Sequence, residues 1–197
     1  DTKISDRRRT SKLSVYSLKF SSKLAFKLSS LTIHTQVLFL SILSASGYDV
    51  CKYVIPAGEA SKSAENLLAF LDFLARNRFT RSDAIVAFGG GVVGDLGGLS
   101  ASLYLRGVKY IQVPTTLLAA VDSSVGGKTA IDIPAGKNLV GSFYQPSMVC
   151  CDTALMNTLP AEIYRDGCAE VIKYGMILDA ALYDTLHTLP FDREAVV

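Results

Sequence analysis

Apolar and polar residues follow two different periods along the chain after Pro56. Five apolar residues recur at helical spacing and predict an amphipathic helix: Ala64, Leu67, Leu68, Leu71 and Leu74. The run AIVAF that follows is continuously apolar and predicts a strand buried on both faces, and VKYIQVP predicts a second strand that stops at Pro114. The segment between them opens in glycines and continues with helix-compatible residues. Helix, strand, glycine turn, helix and strand is the order of a parallel α/β sheet.

The pattern changes again toward the end of the sequence. KTAIDIPAGKN predicts a strand and a tight turn, SMVCCD predicts a further strand, and the segment from Leu159 onward is helical in period. We therefore expect an α/β domain over residues 47–158 and the first helices of another unit over 159–197.

Residues 1–46 have a different composition from the rest of the chain. They hold eight Lys and Arg residues, two Asp residues and eleven serines. An Arg- and Ser-rich, acid-poor segment is typical of an organelle transit peptide, and a diverged or misread leader is the alternative. The sequence predicts no function for this atypical leader.

Composition narrows the class of protein. The chain has 197 residues, of which 49% are hydrophobic, and a net charge of +2. No basic stripe follows Val54, so no nucleic-acid partner is predicted. The apolar runs are far shorter than the roughly 20 residues that a bilayer span needs, so no membrane association is predicted. The four cysteines form no C-x-x-C motif, which favours a reducing, cytoplasmic location over a disulfide framework or a zinc knuckle.

GGGVVG, from Gly89 to Gly94, matches G-x-G-x-x-G and lies between a predicted buried strand and a predicted helix. Glycines in this position let the backbone approach a diphosphate, and the N–H groups at the helix start face its charge. The window 20 residues later holds no acidic residue, so this is not the standard dinucleotide fingerprint. A tight strand-to-helix turn without a ligand is the alternative, and Asp95 then only complements the helix dipole.

AAVDSSVGGKTAID resembles a phosphate-binding P-loop in which Asp122 replaces the first glycine. A strand pattern, rather than a helix, follows Lys128, so a nucleoside triphosphatase is not predicted. Lys137 and Asn138 follow in a second turn. These groups suit an anionic small molecule, and the alternative is that both lysines are solvated turn residues.

Asp166, Glu170 and Lys173 are spaced to share one helix face. An ordinary surface ion pair between Glu170 and Lys173 is one interpretation. The surrounding apolar residues favour the other, in which a metal ion or a polar substrate is their partner.

Five segments, in this order, resemble 3-dehydroquinate synthases: PAGEASKS, GGGVVGDLGG, RGVKYIQVPTTLLAAVDSSVGGKTAID, GKNLVGSFYQP and GCAEVIKYG. The resemblance extends from Tyr53 to about Leu186. It implies an α/β fold with a Rossmann-like, parallel-sheet NAD-binding domain, followed by the first helices of an α-helical domain. The implied activity is the cyclisation of 3-deoxy-D-arabino-heptulosonate 7-phosphate to 3-dehydroquinate with loss of phosphate, in the shikimate pathway.

The resemblance also implies cofactors, partners and site residues. NAD and a divalent metal, zinc or cobalt, would be the cofactors, and a phosphorylated seven-carbon sugar acid the substrate. Glu170 would ligate the metal, and Arg106 would reach into the neighbouring subunit of a homodimer. The residues that would bind substrate are Asp122, Lys128, Asn138 and Lys173. Those that would contact NAD are Gly58, Glu59, Ser61, Lys62, Gly91, Val92, Val93, Gly94, Asp95, Thr115, Thr116, Lys128, Lys137, Leu155, Met156, Asn157 and Thr158.

Three departures limit the resemblance. The family's metal site takes two histidines from a C-terminal domain, and neither His34 nor His187 has the family's HGEAVA context. The leader lacks the family's TD-x-N-V strand, so the sheet is expected to lack an edge. The family's LP-x-R-E segment is replaced by LPAEIYRDG, with Ile163 in place of the acid. The chain is therefore expected to be incomplete and inactive alone.

Two other functions stay open. One is a sister sugar-phosphate cyclase, such as one forming 2-deoxy-scyllo-inosose, or a polyol dehydrogenase of the same fold. The other is a non-catalytic module that binds NAD or mediates dimerisation.

Overall fold

The structure, a computed structural model, describes residues 12–19 and 35–188. Its strands are β1 (Lys12–Lys19), β2 (Asp49–Pro56), β3 (Ala84–Gly89), β4 (Lys109–Pro114), β5 (Lys128–Ile133), β6 (Gly136–Phe143) and β7 (Met148–Val149). Its α-helices are α1 (Thr35–Ala45), α2 (Ala64–Arg76), α3 (Gly91–Leu103), α4 (Ala161–Leu178) and α5 (Ala180–Thr188). Short 3₁₀ turns occupy Glu59–Ser61, Tyr104–Arg106 and Thr153–Thr158, and a π-turn occupies Ala119–Ser123.

The main sheet has five strands in the order β2-β1-β3-β4-β7. β3 is parallel to β4, and β4 is parallel to β7. β1 is antiparallel to both of its neighbours, so β2 and β3 run in the same direction. The predicted parallel α/β sheet is confirmed, with one antiparallel strand inserted into it.

That inserted strand comes from the leader. β1 pairs along its whole length with β2, from the pair Lys12 and Pro56 to the pair Lys19 and Asp49, and it also pairs with β3. The leader therefore supplies a strand of the sheet, and this strand lies between β2 and β3 rather than at an edge. β1 has no family motif, but pairing with strands on both sides gives its backbone N–H and C=O groups hydrogen-bond partners.

Helices cover both faces of the sheet because β3 is apolar at every position. Ile85 and Ala87 face α2 and α3, where they join Phe70 and Leu96 in one core. Val86 and Phe88 face the other way, into a core that contains Phe39 of α1 and Leu155. The rings of Phe39 and Phe88 lie 5.3 Å apart between centroids. α1 thus packs on the sheet although it falls within residues 1–46.

Most elements predicted from periodicity are present, with corrections in detail. In α2, Leu67 and Leu74 are buried as predicted, but Leu68 is 65% exposed and Phe70 takes the buried position. β6 was not predicted; it pairs with β5 in an antiparallel hairpin that forms a separate sheet. In the described part of the chain, none of the helices combines the length and apolar character needed to cross a bilayer.

Candidate functional site

The glycine turn joins β3 to α3, as its sequence predicts. β3 ends at Gly89, Gly90 is the N-cap residue, and α3 begins at Gly91. Thr115, just after β4, donates its backbone N–H to the carbonyl of Gly89 at 2.9 Å, which ties the ends of the two strands together. Because the first N–H groups of a helix have no partner within it, the start of α3 offers donors to a ligand.

Two of these glycines are closely approached from outside the turn. A Cβ atom on Gly90 would lie 3.3 Å from Cγ2 of Thr116, and one on Gly91 would lie 3.3 Å from Oγ of Ser123. Both glycines therefore form a narrow cradle that a larger residue would fill. Thr115 and Thr116, predicted to contact NAD, lie beside this cradle.

The later part of the motif faces the sheet. Val93 is fully buried, and a Cβ atom on Gly94 would lie 2.4 Å from Nε2 of Gln112. Tyr110 donates its hydroxyl to the carbonyl of Gly94 at 2.8 Å. Of the five residues predicted to cradle NAD from this turn, Val93 packs beside Gly89 of β3 and Gly94 lies against β4. Gly91, Val92 and Asp95 remain partly exposed.

A cleft of about 480 Å³ opens beside the glycine turn. It brings together four side chains that were predicted as site residues: Asp95, Asp122, Lys128 and Asn138. Nζ of Lys128 lies 3.9 Å from Oδ1 of Asp122, and these side chains are 65% and 36% exposed. A partly solvated lysine beside a carboxylate, with an amide opposite, can bind both an anion and hydroxyl groups.

Asp122 is carried by the π-turn Ala119–Ser123, a local structure that often marks functional sites. The turn is closed by the N–H of Ser124, which donates to the carbonyl of Ala119 at 2.9 Å. Ser123 lines the cleft. Its Oγ is buried and, across the described residues, has no hydrogen-bond partner. Sequence reasoning missed Ser123, because a serine in a turn carries no signal by itself.

Lys62 connects three segments beneath the cleft. Its side chain is only 3% exposed, and Nζ lies 2.8 Å from Oδ2 of Asp95, 3.4 Å from Oε1 of Glu59 and 3.9 Å from Oδ1 of Asp132. Nζ also donates to Oδ1 of Asn138. Protein oxygens thus surround the ammonium group of Lys62, and its contact with NAD stays a prediction.

Charge and burial act together on this cluster. Burial lowers the pKa of Lys62, but the hydrogen bond and charge of Asp95, with the charges of Glu59 and Asp132, outweigh it and raise the pKa above its usual value. Burial raises the pKa of Asp95, against the opposing effect of Lys62. Lys62 thus stays protonated and holds Asp95 at the edge of the cleft.

A second cavity, of about 580 Å³, lies on the other side of Lys62 and is lined by Glu59 and Lys137. Nζ of Lys137 is 3.7 Å from Oε1 of Glu59, and the lysine side chain is 73% exposed. Gly58, with φ of 108°, starts the turn before Glu59, and Ser61 is buried with its hydroxyl donating to the carbonyl of Pro56. These predicted NAD residues therefore lie around the second cavity and do not line the cleft.

The predicted NAD stretch Leu155 to Thr158 forms the end of a 3₁₀ turn. Leu155 and Met156 are buried in two different apolar cores, and the N–H of Leu155 donates to the carbonyl of Asp152. Asn157 is exposed, and the hydroxyl of Thr158 donates to the carbonyl of Leu155.

Glu170 and Lys173 form an ion pair on α4. The hydrogen bond with Glu170 raises the pKa of Lys173, and the negative charge of Asp122 adds to this effect. α4 approaches Asp122 closely because Gly167 has no side chain: a Cβ atom there would lie 2.6 Å from the backbone nitrogen of Leu118. Lys173 thus lies near the cleft without lining it.

In the described residues, Glu170 has too few metal-ligating side chains around it to form a metal site. Within residues 12–19 and 35–188, no group of three or more His, Cys, Asp or Glu side chains could hold a metal ion. Glu170 instead has Lys173 as its partner. The described residues do not fit a metal centre, since a catalytic zinc site takes three protein ligands.

Arg106 lies at the opposite end of α3 from the glycine turn. It is exposed in the turn Tyr104–Arg106, where Leu105 and Arg106 both have positive φ, of 50° and 66°. Within one chain the structure does not bring Arg106 to the cleft, and its role across a dimer stays a prediction.

The family model described as 3-dehydroquinate synthase N-terminal matches residues 52–166. The chain is 54% identical to the 3-dehydroquinate synthase of Clostridium acetobutylicum over 75% of this chain and 42% of that protein. It is 51% identical to that of Lactiplantibacillus plantarum, over 75% and 41%. The chain spans about two fifths of the length of these curated relatives.

Two solved structures are similar in fold and sequence. A 2-deoxy-scyllo-inosose synthase, solved with carbaglucose-6-phosphate, NAD⁺ and Co²⁺, matches with a TM-score of 0.60 and 37% identity over 62% of this chain and 33% of that one. The 2-epi-5-epi-valiolone synthase of Streptomyces hygroscopicus, with NAD⁺ and Zn²⁺ bound, matches with a TM-score of 0.64 and 35% identity over 67% and 37%.

Proposed function

The chain belongs to the 3-dehydroquinate synthase family, and we propose that it forms the NAD-binding part of such an enzyme together with one side of its substrate cleft. The reaction is the cyclisation of 3-deoxy-D-arabino-heptulosonate 7-phosphate to 3-dehydroquinate with loss of phosphate. The observation that carries the proposal is the cleft in which Asp122, Lys128 and Asn138 meet beside the glycine turn.

The glycine turn supports the dinucleotide half of the proposal. Gly90 and Gly91 form a cradle bounded by Thr116 and Ser123. The unpaired N–H groups at the start of α3 suit a diphosphate, and the helix dipole favours its negative charge. The similar cyclases bind NAD⁺ in their solved structures. NAD, when bound, would supply the hydride acceptor for transient oxidation of the substrate.

The cleft residues suit an oxygen-rich anionic substrate. Lys128 is exposed enough to pair with the substrate's phosphate, and the carboxylate of Asp122 accepts hydrogen bonds from hydroxyl groups. Asn138 has φ of 56° and its side chain is held by Lys62, so its amide is fixed in place before a ligand arrives. These residues bind and orient the substrate and supply charge in a partly enclosed site.

The remaining parts of the proposal concern groups beyond this cleft. The solved relatives bind Co²⁺ or Zn²⁺, and a divalent metal in this enzyme would need ligands in addition to Glu170. We assign residues 47–158 to the NAD-binding domain and 159–197 to the start of a helical domain, after the leader 1–46. The proposed enzyme is a homodimer with Arg106 at its interface. Its proposed location is the cytoplasm, because four free cysteines fit a reducing compartment.

The sister cyclases are the second candidate, since the solved 2-deoxy-scyllo-inosose synthase is 37% identical. The curated 3-dehydroquinate synthases are more similar, at 54% and 51%. Dehydroquinate is therefore the proposed product.

Calorimetric titration of the 197-residue chain with NAD tests the proposal. We expect saturable binding at one site per chain. Gly91→Val should abolish it, because the added side chain fills the cradle next to Ser123. Ala75→Val is the matched control, since it places the same side chain on an exposed face of α2, away from the turn.

Both variants must keep the cooperative thermal transition of the unmodified chain. Absence of binding by the unmodified chain, or equal NAD affinity in Gly91→Val, would show that the glycine turn is only a tight connection between strand and helix.

A further inference from the structure

Ser123 has a buried hydroxyl group that the fold does not use. Its Oγ has almost no accessible surface and, in the part of the chain that the structure describes, neither donates nor accepts a hydrogen bond. A buried hydroxyl without a partner destabilises the fold, because it loses its hydrogen bonds to water and gains none in return. Such a group in a native protein calls for a physical explanation.

The π-turn itself does not need this hydroxyl. The neighbouring Ser124 stabilises the turn, because its hydroxyl donates to the carbonyl of Ala120 at 3.0 Å and its N–H donates to the carbonyl of Ala119. Ser124 is also the more buried of the two residues. The adjacent serines therefore differ: one is paired within the turn and the other is not.

Ser123 lies between the glycine turn at the start of α3 and the cleft. Its Oγ lies 3.3 Å from where a Cβ atom on Gly91 would be, at the start of α3. The same residue lines the cleft that contains Asp122 and Lys128. Ser123 therefore borders both the start of α3 and the cleft.

We propose that the Ser123 hydroxyl hydrogen-bonds the ribose that links the diphosphate of NAD to its nicotinamide. This inference rests on the proposed function and adds a residue to the site. The sugar hydroxyls directly follow the diphosphate and both donate and accept hydrogen bonds, as a serine hydroxyl does. Serine has a single side-chain torsion, so Oγ leaves its position next to Gly91 by one change of staggered rotamer.

Three ligands of increasing length locate the contact: ADP, ADP-ribose and NAD. ADP contains the diphosphate without the second ribose, ADP-ribose adds that ribose, and NAD adds the nicotinamide. We expect Ser123→Ala to weaken binding of ADP-ribose and NAD by about three- to tenfold, the range for one neutral hydrogen bond. Its affinity for ADP should equal that of the unmodified chain.

Ser124→Ala is the matched control. It removes a hydroxyl that has a partner, so it should lower the thermal midpoint and leave the relative affinities for the three ligands unchanged. Ser123→Ala should not lower the midpoint of the ligand-free chain, because no hydrogen bond is lost. The two variants thus separate a ligand contact from a structural role.

Each other outcome has a definite meaning. Unchanged affinities in Ser123→Ala, or an equal loss for ADP, would overturn the ribose contact. A lowered midpoint with unchanged affinities would assign Ser123 a structural role. If the unmodified chain binds none of the three ligands, the proposed function itself is wrong, and the Ser123 contact is overturned with it.

Discussion

At the scale of single residues, Lys62 joins segments that are far apart in the sequence. Its ammonium group contacts Glu59 in its own turn, Asp95 in α3, and Asp132 and Asn138 in the β5–β6 hairpin. The sequence indicated a lysine near a nucleotide, whereas the structure shows a buried cation that arranges the groups around the cleft. Spacing could not reveal this, because three of the partners lie more than 30 positions away.

Replacing Lys62 should strongly destabilise the chain. Lys62→Met leaves the Asp95 carboxylate, which is 19% exposed, without its counter-ion. We expect a loss between about 1 kcal/mol, as for a surface pair, and about 3–5 kcal/mol, as for a fully buried pair. Urea unfolding measures the change in the free energy of unfolding. Lys137→Met is the control: that lysine is 73% exposed and should contribute less than about 1 kcal/mol. Equal effects of the two substitutions would contradict the structural role of Lys62.

Alkaline pH should also weaken the fold. Burial raises the pKa of Tyr110 above 10.0, and the carboxylates around Lys62 raise its pKa above 10.5. A raised pKa means that the folded chain holds the proton more tightly, so the stabilisation is complete below about pH 10 and is lost as the pH rises further.

Urea unfolding between pH 8 and pH 11 measures this loss. Tyr110→Phe should flatten the pH dependence above pH 10 while lowering stability at neutral pH, because the bond to Gly94 is lost. An unchanged slope in this variant would exclude Tyr110 as a titrating group.

At the scale of elements, glycines set how closely helices approach the sheet and the turns. A Cβ atom on Gly98 of α3 would lie 2.4 Å from Cγ2 of Thr129 in β5, and Gly167 brings α4 against Leu117 and Leu118. The glycine motif alone predicted only a phosphate-binding turn. The structure adds a packing role, which depends on neighbours that the local sequence does not specify.

Gly167→Ala tests this close packing. Alanine is the better helix former by about 1 kcal/mol, but its Cβ would meet the backbone nitrogen of Leu118 at 2.6 Å. We expect a net loss of about 1–3 kcal/mol in the free energy of unfolding. Asp166→Ala, on the exposed side of the same helix, should change stability by less than about 0.5 kcal/mol. A stabilised Gly167→Ala variant would contradict the observed contact.

Periodicity predicted the buried elements better than the exposed ones. β3 is apolar at every position, and its sequence predicts a buried strand. β6 is exposed at most positions, so its sequence lacks the apolar pattern that indicates a strand. β1 also escaped prediction, since its place in the sheet depends on long-range pairing with β2 and β3. Asp122, Lys128 and Asn138 were predicted as a group from the family resemblance, and the structure brings them to one cleft.

At the scale of the whole molecule, apolar surface is concentrated at the end of α4. Met176, Ile177 and Leu178 are between 66% and 76% exposed. Consecutive exposed residues of this size form a patch that favours association. The same helix carries Glu170 and Lys173 near the cleft, so the patch lies on an element of the candidate site.

We therefore expect the purified chain to associate as its concentration increases. Sedimentation velocity should show a concentration-dependent rise in mean mass, which the double substitution Met176→Gln and Leu178→Gln reduces. Leu68→Gln is the control, because Leu68 is also exposed but lies on α2. A monomer at all concentrations would show that the patch does not drive association.

The most direct test of the proposed NAD site is a map of amide chemical shifts in the ¹⁵N-labelled chain during titration with NAD. We expect saturable shifts concentrated at Gly89 to Asp95, Thr116 and Ser123, with little change in α5. Shifts that are absent, or that lie away from the glycine turn and the cleft, would contradict it.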